Sequence, residues 1–202
     1  MARYKGPKCK LCRRAGEKLN LKGARCDSEK CAMNKRPYPP GQHGKNRRRR
    51  RPSSYGMQFA EKQKAKRIYG MLEKQFRKYV NASLNTEGVT GEILMQHLES
   101  RFDNMVYRSG FATSRPQARQ FIRSGFFELN GKVVDVPSVQ LKVGDIIKPN
   151  AFEKIHLRQG FVLPDWLKAN VKDKYVQVER LPLLEEVSSG ISVQLIVEFY
   201  SR

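Results

Sequence analysis

The sequence predicts an α+β chain, and three observations carry that reading. Helical periodicity recurs between Tyr55 and Arg123, a hairpin signature sits at Asn130-Gly131, and the first 51 residues are basic and poor in apolar side chains. A mostly helical part, a small antiparallel sheet and an extension that needs outside help to fold are therefore expected.

Charge dominates the N-terminal part. The chain carries 40 Lys and Arg against 19 Asp and Glu, a formal net charge of +21. Eighteen of those cations, and only three of the carboxylates, fall in residues 1–51. Such an excess is far beyond what solubility requires and implies a polyanionic partner. No apolar run approaches the roughly 18–20 residues that span a bilayer. No apolar helical face opposes the basic residues either, so a soluble, cytoplasmic chain without a membrane partner is expected.

All four cysteines lie in this segment, as Cys9-x2-Cys12 and Cys26-x4-Cys31. Two close pairs joined by a short loop can bring four thiolates to one tetrahedral ion. Zn2+ is the expected cofactor, with a 4Fe–4S cluster on the same four ligands as the alternative. Disulfides are disfavoured in a reducing cytosol, and Leu11, Leu19, Leu21 and Met33 are too little apolar material to bury unligated thiols. Lys8, Lys10, Arg13, Arg14, Arg25 and Lys30 should favour the thiolate form. A metal would then replace a hydrophobic core as the organising term.

Residues 36–44, RPYPPGQHG, read as a stiff extended connector. It leads through Lys45 into Arg47, Arg48, Arg49, Arg50 and Arg51, a run for which phosphate contact is favoured over a localisation signal. Ser54 is expected to cap a helix over 55–68, with another over 71–83. Phe59, Ile68, Leu72, Phe76, Tyr79 and Val80 form their expected packing face. Residues 86–91 read as a loop.

Residues 98–149 are the most patterned. Leu94, Leu98, Phe102 and Met105 share one face of a helix expected to end at Gly110. Ser114 and Pro116 then open a second helix that ends near Gly125. Ala118, Phe121 and Ile122 make its inward face, while Arg115, Arg119 and Arg123 recur every four residues as an expected exposed cationic stripe, with Arg101 and Arg108 nearby. Strands over 126–129 and 132–136 flank Asn130-Gly131, the dipeptide of the type I′ hairpin turn. Two more short strands are expected over 139–141 and 146–147. Further on, 151–158 reads as a short helix, Trp166 as a packing anchor and 175–178 as a strand. The apolar run 193–199 suits a strand or a buried helix equally.

The segment RFDNMVYRSGFATSRPQARQFI, followed by NGKVVDVPS and VGDII, closely resembles the RNA-binding module of the ribosomal protein S4 family. RPYPPGQHG, RRPSSYG, EKQKAKRIYG, EKQFRKY and the terminal QLIVEFYSR also resemble that family, in its bacterial type with an N-terminal four-cysteine site. The resemblance implies a basic, metal-stapled segment over 1–45, a discontinuous helical domain over 46–97 and 170–202, and an inserted S4-type module with its connector over 98–169. It further implies a structural constituent of the small ribosomal subunit. Such a protein is a primary binder of the five-prime domain of 16S-type rRNA, nucleates assembly, lines the mRNA entry channel and influences translational accuracy. The implied partners are small-subunit rRNA, mRNA with Arg47, Arg49 and Arg50 as the candidate contacts, and the neighbouring proteins uS3 and uS5.

No enzyme is expected. His43, His97 and His156 are widely separated, and His-Glu-x-x-His, P-loop, Gly-x-Ser-x-Gly and dinucleotide motifs are absent. Adjacent Glu185 and Glu186 point apart as an acid–base pair, and no small-molecule substrate is implied. An RNA-modifying enzyme carrying this module needs a separate catalytic domain of about 100 residues or more. A zinc-dependent DNA regulator needs a recognition helix that the cysteine segment lacks.

Overall fold

The computed structural model describes residues 3–45, 52–150, 155, 158, 160–170, 174–187 and 190–201. The chain forms two compact units, one of Met1–Gly91 with Ser189–Arg202 and one of Glu92–Ser188. Among the described residues no helix is long and apolar enough to cross a membrane.

The first unit opens with three short helices, α1 (Lys8–Ala15), α2 (Ala24–Asp27) and α3 (Ala32–Lys35). Its main packing joins α4 (Ser54–Ile68), α5 (Glu73–Leu84) and α9 (Val193–Tyr200). The cap of α4 is Ser53 and not the expected Ser54, which is the first helical residue: the Ser53 hydroxyl accepts from the Gly56 N–H at 3.2 Å. Between α4 and α5 the chain needs a left-handed residue, and Gly70 supplies it at φ 64°. The undecided run 193–199 is helical because Val193 and Ile196, three residues apart, both turn inward. Against α4, Phe199 lies 5.6 Å from Tyr55 and 6.1 Å from Phe59 between ring centroids, and Gln58 Nε2 donates to Glu198 at 2.9 Å. Ala65, Phe76, Val80 and Ile196 are fully buried. Two expected packing residues, Phe59 and Leu72, are instead exposed; Leu72 is the N-cap position of α5 and lies outside its helical face.

In the second unit, α6 (Thr90–Glu99), α7 (Phe102–Arg108) and α8 (Arg115–Arg123) accompany an antiparallel five-stranded sheet. The strands are β1 (Phe127–Leu129), β2 (Lys132–Val133), β3 (Ile146–Pro149), β4 (Leu167–Asn170) and β5 (Tyr175–Val178), in the order β2-β1-β3-β5-β4. Leu94, Leu98, Phe102, Met105, Ile122, Phe127 and Ile147 are fully buried in its core. At the β1–β2 turn, Asn130 and Gly131 have φ of 51° and 77°, as a type I′ turn requires. The Asn130 amide also donates to Asp145 Oδ1 at 2.8 Å and accepts from the Ile146 N–H at 2.9 Å, fastening the turn to the start of β3.

Four expectations are corrected here. The single helix ending at Gly110 is two helices, broken where Arg101 adopts an extended backbone. The break has a partner: Phe102 N donates to Val139 O at 2.9 Å and Leu141 N to Ser100 O at 2.8 Å. Residues 139–141 are thereby used against the helix break, with Gln140 bridging Arg101, and form no hairpin with β3. The second hairpin strand stops at Val133. The segment after residue 170 stays with the sheet, since β5 pairs with both β3 and β4, so the return to the first unit begins only at Ser189. Most of the expected 151–158 helix lies outside the described residues. Trp166 is buried, as a packing anchor should be.

Candidate nucleic-acid interface

The break before α7 brings charged side chains into the interior. Asp103, in the first turn of α7, accepts from Arg101 Nε at 3.0 Å and Arg101 Nη2 at 2.8 Å. Arg119 Nη1 reaches the same carboxylate at 3.4 Å from α8. Beside them Glu99 is fully buried and accepts two bonds from Arg108, both at 2.9 Å. Asn104 ties the two halves together. Its amide donates to Glu99 Oε2 at 2.7 Å, and its Oδ1 accepts from Arg115 Nε at 2.7 Å. The Arg115 guanidinium lies 4.5 Å from the Tyr107 ring centroid. Buried charges persist only when paired and hydrogen-bonded in this way.

The expected cationic stripe is therefore corrected. Arg119 is 5% exposed and Arg101 is 0% exposed, while Arg115 and Arg108 are half-buried and Arg123 is exposed. Four-residue spacing advances about 40° per step around a helix of 3.6 residues per turn. Position 119 consequently falls beside buried Ala118 and Ile122, within reach of Asp103. Arg101 and Arg119 act as internal ties of this unit, and Arg123 is the stripe member left on the outside.

The N-terminal segment places its cations differently. Lys10, Arg13, Arg25, Lys30, Lys35 and Arg36 line one open groove of about 730 Å³, with no carboxylate in its lining. Arg13 is fixed by bonds to Tyr38 O at 2.9 Å and Pro39 O at 3.4 Å, with the Tyr38 ring 4.9 Å away. Lys45 is exposed, its Nζ 5.6 Å from the same Tyr38 ring centroid, and Arg47, Arg48, Arg49, Arg50 and Arg51 lie outside the described residues. Sequence reading missed the groove because its cations come from three short helices and a connector. Only the density of Lys and Arg hinted at it.

Cys9, Cys12, Cys26 and Cys31 are all free and face one small cavity. Lys22 N donates to Cys26 Sγ at 3.3 Å. Four soft sulfur donors around a common point suit Zn2+ or an iron–sulfur cluster in chemistry. Among the described residues, however, no three metal-ligating side chains are grouped closely enough to hold an ion. The structure converges the four predicted ligands without closing them into a ligand set. At Cys12 and Cys26 the expected thiolate bias is reversed: burial pushes both thiols above their ordinary range, outweighing the backbone hydrogen bonds that favour ionisation.

Comparison with known proteins decides what these surfaces belong to. The model of the ribosomal protein S4/S9 N-terminal domain matches residues 3–99, and the S4 domain model matches residues 100–147. Proteins named small ribosomal subunit protein uS4 from Halothermothrix orenii and Natranaerobius thermophilus are each 49% identical over 210 residues, and that from Dictyoglomus turgidum 49% over 208, all across the full length of both chains. The chain belongs to the ribosomal protein S4 family. Membership makes it a structural protein and not an enzyme. In S4 terms, the matched domain of residues 100–147 contains α7, α8 and the Arg101–Asp103–Arg119 ion pairs, Glu99 closing the network from the last residue of the N-terminal match, whereas the cationic groove lies in the matched N-terminal domain.

Proposed function

We propose that this chain is a structural constituent of the small ribosomal subunit that binds the five-prime domain of 16S-type rRNA directly and nucleates its assembly. The observation that carries the reading is the carboxylate-free groove with six cationic side chains. Cations arranged around a groove neutralise phosphates on more than one backbone segment, which favours a folded RNA junction over a single duplex. Arg123, with the half-buried Arg115 and Arg108, supplies further contacts from the S4 module. In this reading the chain lines the mRNA entry channel, with Arg47, Arg49 and Arg50 as the messenger contacts, and influences translational accuracy, with uS3 and uS5 as neighbours on the ribosome.

Cys9, Cys12, Cys26 and Cys31 are the residues that would hold Zn2+, with a 4Fe–4S cluster as the alternative. Bound there, the ion supplies the cross-link that the apolar-poor segment lacks. Chelation should speed amide exchange in residues 3–45 and leave residues 99–149 protected; equal exchange in both with and without chelator would remove the metal from the account.

The RNA reading is tested by titrating the purified protein against a five-prime-domain transcript over a salt series, with equal-length duplex and scrambled competitors. Tight binding that survives both competitors is expected, with a steep salt slope. Equal affinity for all three RNAs would reduce the protein to a nonspecific cation.

A further inference from the structure

One corner of the second unit carries surface chemistry opposite to the rest of this cationic chain. After β5 the backbone turns through residues 179–187, where Leu181, Leu183 and Leu184 are 38%, 57% and 37% exposed. Single leucines scattered over a surface are ordinary; three within four positions make an apolar knob.

The turn beneath the knob is hydrogen-bonded within itself. Pro182 and Val187 are buried beneath it. Glu186 N donates to Leu183 O at 3.2 Å, and Val187 N to Leu184 O at 3.3 Å. The Arg180 guanidinium donates to both carboxylate oxygens of Glu186, which also accepts from the Leu183 N–H at 2.9 Å. Leucines presented on a turn held by its own hydrogen bonds have less to order on docking than leucines on an unstructured segment.

The rim is acidic. Glu179 and Glu185 are exposed, Asp165 and Glu179 lie within electrostatic range of Arg180, and Arg180 is already engaged by Glu186. Residues 175–187 hold three carboxylates and one cation in a chain of net charge +21. Such a rim repels a phosphate backbone, and an apolar knob has nothing to gain from one.

We propose that the 179–187 knob is a protein-docking surface that seats in an apolar recess of a basic protein, whose Lys and Arg side chains meet Glu179 and Glu185. The leucines supply the buried centre of the contact, and the carboxylates steer and select the partner. The proposal rests on the ribosomal reading, because proteins that neutralise RNA are themselves basic and are the partners packed around it.

The test uses the full chain carrying p-benzoylphenylalanine at position 183 or, in a second variant, at position 184. Each is assembled into small-subunit particles from rRNA and total small-subunit proteins, irradiated and analysed by mass spectrometry. The expected product joins this chain to a basic ribosomal protein. Its yield should fall at least ~5-fold when Glu179→Lys and Glu185→Lys are added, with particle entry unchanged. A cross-link to RNA, to a second copy of this chain or to nothing overturns the proposal, as does a protein cross-link indifferent to the charge reversals. A chain that never enters particles sinks the ribosomal reading and the proposal with it, a result distinct from normal entry without the cross-link.

Discussion

In the N-terminal segment Lys10, Arg25, Lys30, Lys35 and Arg36 are exposed around one groove, whereas Arg101, Arg108 and Arg119 bond to the buried carboxylates of Glu99 and Asp103. Both regions are rich in cations, and what separates them is where the carboxylates stand. The first 51 residues contain only three Asp and Glu, none of them in the groove lining. The second region places two carboxylates inside the fold, and each one claims arginines that would otherwise face solvent. Cation count therefore announces a polyanionic partner, while carboxylate placement decides which cations can meet it.

The sharpest way to break this comparison is to remove an internal carboxylate. Asp103→Ala leaves Arg101 and Arg119 without their shared acceptor. It should destabilise the second unit by ~3–5 kcal/mol, the usual cost of stranding a buried charge. Urea unfolding of the full chain, followed by amide exchange in α7 and α8, measures it; a loss below about 1 kcal/mol would mean that water replaces the network.

A smaller loss is expected at the hairpin. Asn130→Ala removes two side-chain hydrogen bonds and puts alanine at a positive φ, which should cost ~1–2 kcal/mol. The loss should appear as faster exchange around β1 to β3 while affinity for RNA is retained.

The least costly change lies in the first unit. Burial opposes ionisation of Glu73, but hydrogen bonds from Lys66, Tyr200 and Lys62 outweigh it and hold the carboxyl at about 2. A carboxylate so depressed stabilises the fold above its ordinary value of 4.5, and that contribution is lost as pH falls towards 2. Because Glu73 remains nearly half exposed, Glu73→Gln should cost ~1 kcal/mol or less at neutral pH. The variant's unfolding midpoint should also fall less between pH 5 and 2 than that of the unmodified chain; equal falls would show that Glu73 carries no linkage.

Much of this was legible from residue patterns. The α4 and α5 helices follow from periodicity, the start of α8 from Ser114 at the N-cap position with Pro116 in the first turn, and the Asn130-Gly131 turn from a dipeptide with a strong local preference. What stayed hidden depended on distant partners. Nothing local stops a helix at Ser100-Arg101; the break is stabilised by backbone bonds from residues near 139. Arg119 reads as exposed by spacing alone, and the spacing does not show Asp103 waiting across the α7–α8 contact to pair with it. The groove was invisible because its lining gathers residues from Lys10 to Arg36. The 193–199 run was ambiguous because seven apolar-rich residues fit either period, and packing against α4 resolved it.

The most direct test is a paired salt titration of the five-prime-domain transcript, with Lys10→Gln, Arg25→Gln and Lys35→Gln combined in one variant and Arg119→Gln alone in another. The groove variant should lower the salt slope by ~0.7–0.9 for each lost phosphate contact and leave the unfolding midpoint unchanged. Arg119→Gln should lower the unfolding midpoint and, where the protein is still folded, leave the slope unchanged. An unchanged slope for the groove variant, or a slope loss in folded Arg119→Gln, would contradict the division between cations that meet RNA and cations that hold the fold.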